Sequence, residues 1–169
     1  MRFPALLLAA VVAALPAAAQ VPYQPHGDGF RVEFPGPPTA ADAERASTRY
    51  GAAVTATASY TSPSGIVFYA TRTAYSSGAA SSEPQKVLDT VRLGRTAVGT
   101  LRLQRRFIFE GNPAQRDVVD WHGPQRLVIV AFDVMRGDWL YSTYCFVPPG
   151  QETDPAIERF LASFTLLPQ

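Results

Sequence analysis

The chain holds one cysteine, Cys145, so no disulfide can form within it. Cys145 lies in the apolar run from Leu140 to Val147, where a free thiol behaves as a small hydrophobe; it is read as a core residue. Histidine is almost as scarce, with two, His26 and His122. No Cys/His spacing of a metal site occurs, and a catalytic triad would have few bases to draw on. Lys86 is the only lysine among 15 basic residues, a bias that reflects genome composition and says nothing about ligands. Neither charge sign dominates. The formal net charge is +1, which excludes the strongly basic face a nucleic-acid partner demands. The phosphate loop G-x-x-x-x-G-K-[ST] and the dinucleotide fingerprint G-x-G-x-x-G are missing, and no cofactor is expected. The nucleophile elbow G-x-S-x-G is missing as well; Ser62-Pro63-Ser64-Gly65 lacks its first glycine and its strand-to-helix setting.

What is present suits one globular domain. Of 169 residues, 47% are hydrophobic and 17% charged, which excludes a disordered chain. A chain of this size can build a core without staples. Residues 1–19 read as a secretory signal: Arg2 gives the positive start, Ala5 to Ala14 the apolar stretch, and Ala17-Ala18-Ala19 the small-residue cleavage pattern. Cleavage after Ala19 leaves a periplasmic or secreted chain. The apolar stretch falls short of the roughly 20 residues that span a bilayer, so no membrane span is expected in the mature form. The residue directly after the cleavage point is Gln20, not a cysteine that could carry a lipid. Without Arg2 the mature chain has 14 basic and 14 acidic residues, which excludes steering by total charge.

Residues 20–28 are rich in Pro and Gly and read as a flexible leader, followed by a single domain over 29–169. Phe30, Val32 and Phe34 alternate with Arg31 and Glu33, a strand with one buried face. Ala43 to Tyr50 is a weak strand. Residues 52–61 and 66–75 form a long hairpin about Ser62-Pro63-Ser64-Gly65. Ser82 is expected to cap a helix starting at Glu83-Pro84, with Val87, Leu88 and Val91 as its apolar stripe, weakened by Gly94 and ended near Gly99. Strands follow at Leu101 to Glu110 and Ala114 to Trp121. Residues 125–135 are apolar in both alternating sets, so this strand belongs inside a sheet covered on both sides. Arg136-Gly137-Asp138 turns the chain into a strand from Trp139 to Val147. Those three residues also spell an adhesive tripeptide, although a hairpin turn needs the same residue types. Asp154 caps a final helix with Pro155 first, and Ile157, Phe160, Leu161 and Phe164 share one face. The sum is an α+β fold: a mostly antiparallel sheet of about seven strands layered with two helices.

Two acid–histidine pairs occur. His26-Gly27-Asp28 falls in the leader, where catalytic geometry would be hard to hold. Asp120 and His122 share a face of their strand. If Glu110 pairs with Ala114, one face displays Arg102, Gln104, Arg106, Arg116, Asp120 and His122, while Leu101, Leu103, Phe107, Phe109, Val119 and Trp121 line the other. Three arginines there could hold a carboxylate or phosphate through forked hydrogen bonds. The six residues are the candidate ligand-binding patch; no catalytic or metal residue is assigned.

The stretch Gly29-Phe30-Arg31-Val32-Glu33-Phe34-Pro35-Gly36-Pro37-Pro38 resembles the "GF-x-V-x-FPG-x-P" start of small exported bacterial domains of the PsbP-like family, relatives of the extrinsic oxygen-evolving subunit of photosystem II. Gly111-Asn112-Pro113-Ala114-Gln115-Arg116 is similar to that family's glycine-proline turn, and Trp139-Leu140-Tyr141 to its "R-L-Y" strand start. Phe160-Leu161-Ala162-Ser163-Phe164-Thr165-Leu166 is similar to its closing "FL-x-SF-x-L". The glycine of the family's "PG" is Ala114 here, and Arg116 replaces a small or acidic residue. The resemblance implies an α/β/α sandwich and a non-catalytic assembly or interaction module, with no catalytic residues to carry over. The expected partner is another envelope protein or a small anionic ligand. A hydrolase using His122 with Asp120, and a cell-envelope assembly or adhesion factor, are the alternatives.

Overall fold

The computed structural model describes residues 20–25, 29–76 and 78–168. Residues 1–19 and the His26-Gly27-Asp28 motif lie outside them. The chain runs β1 (Val21–Tyr23), β2 (Phe30–Phe34), β3 (Thr39–Thr48), β4 (Gly51–Thr61), β5 (Val67–Tyr75), α1 (Ala79–Ser82), α2 (Pro84–Thr96), β6 (Gly99–Phe109), β7 (Asn112–Trp121), β8 (Leu127–Arg136), β9 (Trp139–Val147), α3 (Pro155–Ala162) and β10 (Thr165–Leu166). Seven strands form one sheet in the order β3-β4-β5-β9-β8-β7-β6, and β1, β2 and β10 form a second. Every pairing is antiparallel.

The apolar sets on both sides of β8 put it inside the sheet, between β9 and β7, where Val128, Ile129, Val130 and Ala131 are all buried. Each set meets a different layer. Val128, Val130, Phe132 and Val134 join Phe30, Val32 and Phe34 of β2 and Ile157, Phe160 and Leu161 of α3 in the main core. On the opposite face, Val87 and Leu88 of α2 meet Met135 and Leu140. A sheet carrying helices on both faces is the layered α+β fold the sequence implied. Asp154 starts α3 as expected, its Oδ1 accepting from the Ala156 N–H at 2.8 Å. Cys145 is fully buried, and burial pushes its thiol pKa up, so it is an inert core residue.

Several expectations need correction. The leader is partly a strand: Val21–Tyr23 pairs with β2, anchored where the Tyr23 ring meets Phe30 and Phe34. Strand β3 starts at Thr39, earlier than Ala43, and is exposed along its whole length, so no alternation marked it. The helices number three among the described residues. Ser82 ends α1 and does not cap α2; Glu83 occupies the cap, without a side-chain hydrogen bond. Helix α2 stops at Thr96, with Ala97 as its cap, and Gly99 already opens β6.

The largest correction concerns the β6–β7 hairpin. Its turn is the two residues Glu110 and Gly111, both at positive φ (47° and 78°), with Asn112 Nδ2 donating to the Glu110 carbonyl at 2.8 Å. Two left-handed residues are what a tight hairpin turn requires. Phe109 therefore pairs with Asn112, three residues away from the expected register. Pro113 lies in the strand, and the β7–β8 ladder begins only at Ala114, past the missing donor. An odd register shift exchanges faces. A bulge at Arg102 then puts Leu101 and Leu103 on opposite sides.

Candidate functional site

The six residues of the expected arginine patch do not share a face. Gln104 and Arg106 lie opposite Asp117 and Gln115, beneath α2, and Arg106 pairs with Asp89 of that helix. Arg116 points to the other side and pairs with Glu158 of α3. Arg102, Asp120 and His122 do come together at the end of the sheet, around a depression of about 300 Å³ also lined by Arg126 and Pro149. There the Arg102 guanidinium is shared by Asp120, with Nε at 2.6 Å from Oδ2, and by Glu152 at 3.4 Å. The Arg102 hydrogen bond holds the Asp120 pKa below its ordinary value. His122 Nε2 faces Thr100 Oγ1 at 3.2 Å, not a carboxylate. Asp120 thus serves Arg102 and does not orient the imidazole.

A stronger polar cluster sits beneath α2. Strand β8 carries Asp133 in the same alternating set as Ile129, Ala131 and Met135, and β7 carries Gln115 and Asp117 beside it. All three are fully buried. Arg95, one turn beyond Val91 on the apolar stripe of α2, reaches down to them. Its Nη1 and Nη2 donate to the two oxygens of Asp133 at 2.5 and 2.7 Å, and Nη1 lies 3.6 Å from Asp117. Gln115 Nε2 donates to the Leu88 carbonyl at 2.8 Å and to Asp133 at 3.2 Å. Burial alone would lower the Arg95 pKa, but Asp133 and Asp117 more than offset it and raise it. Asp117 fares worse. Neither of its oxygens accepts a hydrogen bond from a described residue, and burial plus the Asp133 charge push its pKa up to about 6.

That shift fixes a pH dependence. A carboxyl whose folded pKa exceeds its unfolded value stabilises the fold when protonated, and the contribution is lost as pH rises from about 4 through about 6. Asp117→Asn is therefore expected to stabilise the protein by about 1–2 kcal/mol near pH 7.5, after screening at the wet edge of Arg95. The gain should vanish below about pH 4, as checked by urea unfolding at both pH values.

Helix α2 packs on β6, β7 and β8, and its Val87 and Leu88 share a core with Ala80 of α1, Met135 and Leu140. Between α2 and the β3–β4 side runs a groove of about 510 Å³. Its floor carries the hydroxyls of Thr55, Thr57, Thr71, Thr73 and Ser142. Trp121, Tyr144 and Phe146 give an aromatic end, and Glu44 stands on the outer rim. The strand registers place these hydroxyls side by side: Thr55 opposite Thr73, Thr57 opposite Thr71, and Thr71 opposite Ser142. Burial raises the Tyr144 pKa to about 12, so its hydroxyl stays neutral. Val91, Gly94, Arg95 and Val98 form the helix-side wall. A Cβ on Gly94 would meet nothing within 4 Å, so packing does not require glycine there. Gly94→Ala is expected to raise stability by about 0.5–1 kcal/mol through helix propensity, read as a higher urea midpoint.

The sequence reading missed this site. Its signals were Asp133 interrupting an apolar set of a doubly buried strand, and Arg95 continuing the stripe Leu88, Val91. Among the described residues no three His, Cys, Asp or Glu side chains gather as a metal site, and no helix is long and apolar enough to cross a membrane.

No protein-family model and no curated protein matches the sequence. Among solved structures the chain is similar to cyanobacterial PsbP from Synechocystis sp. PCC 6803, at a TM-score of 0.50 and 12% identity over 95% of this chain and 98% of that one. It is also similar to the protein of unknown function PA94 from Pseudomonas aeruginosa, at a TM-score of 0.46 and 14% identity over 89% and 97% of the two chains. The first likeness, with the layered sheet described above, defines the class: the chain has a PsbP-like α+β fold.

Proposed function

We propose that the chain is an exported, non-catalytic binding module that takes its ligand or partner in the groove beside α2. One observation carries this reading: beside α2, on the sheet face that α1 and α2 cover in part, runs a walled groove lined by hydroxyl and aromatic side chains. Concave sites with a few convergent polar groups are where proteins hold ligands. The signal-like residues 1–19 support export. The hydrolase alternative is disfavoured because Asp120 is bound to Arg102, and His122 has no carboxylate to orient it. A small anionic ligand at the arginines is disfavoured too, because Arg102, Arg106 and Arg116 are each paired with acidic side chains. The adhesive tripeptide is disfavoured because Asp138 Oδ1 accepts from the Ser81 N–H at 3.0 Å and is tied to α1.

The test is retention of cell-envelope material on the immobilised protein. Gly94→Leu, which fills the groove wall, should abolish retention, while His122→Ala and Asp120→Asn should leave it intact. Retention lost with His122→Ala and kept with Gly94→Leu would move the site to the neighbouring depression at Arg102, Asp120 and His122.

A further inference from the structure

We propose that the groove beside α2 binds a neutral, hydroxyl-rich ligand of about mono- to disaccharide size, and that Gly94 keeps its wall open for that ligand. The inference rests on reading the groove as the binding face and adds the chemistry of the occupant.

Charge decides first. The charged residues lining the groove are Arg95 and Glu44. Arg95 is committed to Asp133 and Asp117, so it offers no free cation to an anion. Glu44 is one exposed carboxylate on the rim, too little to select a strongly cationic ligand. The floor is neutral.

Hydrogen bonding decides second. Thr55 and Thr73 bond each other at 2.9 Å, and each keeps spare acceptor capacity. The hydroxyls of Thr57, Thr71 and Ser142 make no hydrogen bond to another described side chain, and none is sealed from the groove. Each can both donate and accept. An apolar helix laid on this floor would strand several hydroxyls, each at the cost of desolvation without a partner. Adjacent hydroxyls on a ligand would satisfy them in either direction. The aromatic end formed by Trp121, Tyr144 and Phe146 suits the C–H face that a sugar ring also presents. The volume, about 510 Å³, falls in the range of small-molecule sites.

Gly94 is the independent observation. Glycine inside a helix lowers its stability relative to alanine, and here no neighbouring atom demands the missing side chain. What glycine does provide is open space at the centre of the wall.

The experiment is calorimetric titration of the purified protein with neutral hexoses, N-acetylhexosamines and their disaccharides, with inorganic phosphate and an extended peptide of neutral residues as comparison arms. At least one saccharide should bind. Gly94→Leu and Thr71→Val should each weaken it about tenfold or more, the size of one well-made contact, without lowering the thermal midpoint of Gly94→Leu. Absence of saccharide binding overturns the inference, as does binding that neither variant changes, or binding of phosphate or peptide in place of saccharide. If saccharides fail while Gly94→Leu still abolishes retention of envelope material, the ligand class is wrong and the groove stands as the binding face.

Discussion

Arg95→Met is expected to destabilise the protein by about 3–5 kcal/mol, the cost of leaving buried carboxylates without their cation. The guanidinium keeps only 12% of its side-chain exposure, while Asp133 and Asp117 keep none. Its two hydrogen bonds to Asp133 are direct and forked, a geometry Met cannot replace and Lys reproduces only as a point charge. A second variant separates charge from shape. Arg95→Met combined with Asp133→Leu and Asp117→Asn removes all three charges, and should recover much of the loss, because a buried ion network replaced whole is often near neutral. Urea unfolding measures both. A loss below about 1 kcal/mol for Arg95→Met would mean that water reaches the carboxylates and the cluster is a wet surface pair.

Phe160→Ala should cost about 3–5 kcal/mol, the range for removing a buried aromatic side chain. Phe160 is fully buried in α3, and its ring centroid lies 4.9 Å from that of Phe34 in β2 and 5.2 Å from that of Phe68 in β5. It therefore joins three elements: the helix, the small sheet and the main sheet. Removing it opens a void that none of the three can close without moving the others. For a domain of this size the loss corresponds to a fall of about 10 °C in the thermal midpoint. A fall of only a degree or two would show that α3 docks through Ile157 and Leu161 alone.

The parts legible in the sequence were those where periodicity and burial agree. Strand β8 shows two apolar sets because both of its faces are covered, and α3 shows Ile157, Phe160 and Leu161 on one face because it has one core to meet. Strand β3 was harder, since an edge strand exposed throughout has no alternation to read. The β6–β7 register failed for a local reason. Glycine-asparagine-proline attracts a turn reading, yet the turn uses Glu110 in a left-handed conformation that favours other residues. Three residues of shift then moved Gln104 and Arg106 to the face of α2, away from Arg116. The groove was invisible for a different reason. Four of its floor hydroxyls lie on the β4–β5 hairpin, but Ser142 and the aromatic end come from β9 and β7, and only the strand order β4-β5-β9-β8-β7 sets them on one face. Arg95 and Asp133 each carried a sign of a special position, a charge on an apolar stripe, but nothing in the sequence joins a helix residue to a strand residue 38 positions away.

Hydrogen exchange of the free protein against the protein carrying its bound envelope material tests the placement of the site most directly. Protection should grow along residues 91–98, the end of α2 and the turn after it, and across the strand segments 55–57, 71–73 and 140–146, with little change in β6 or around His122. Protection confined to β6 and the His122 depression, with the α2 groove exchanging as before, would contradict the account.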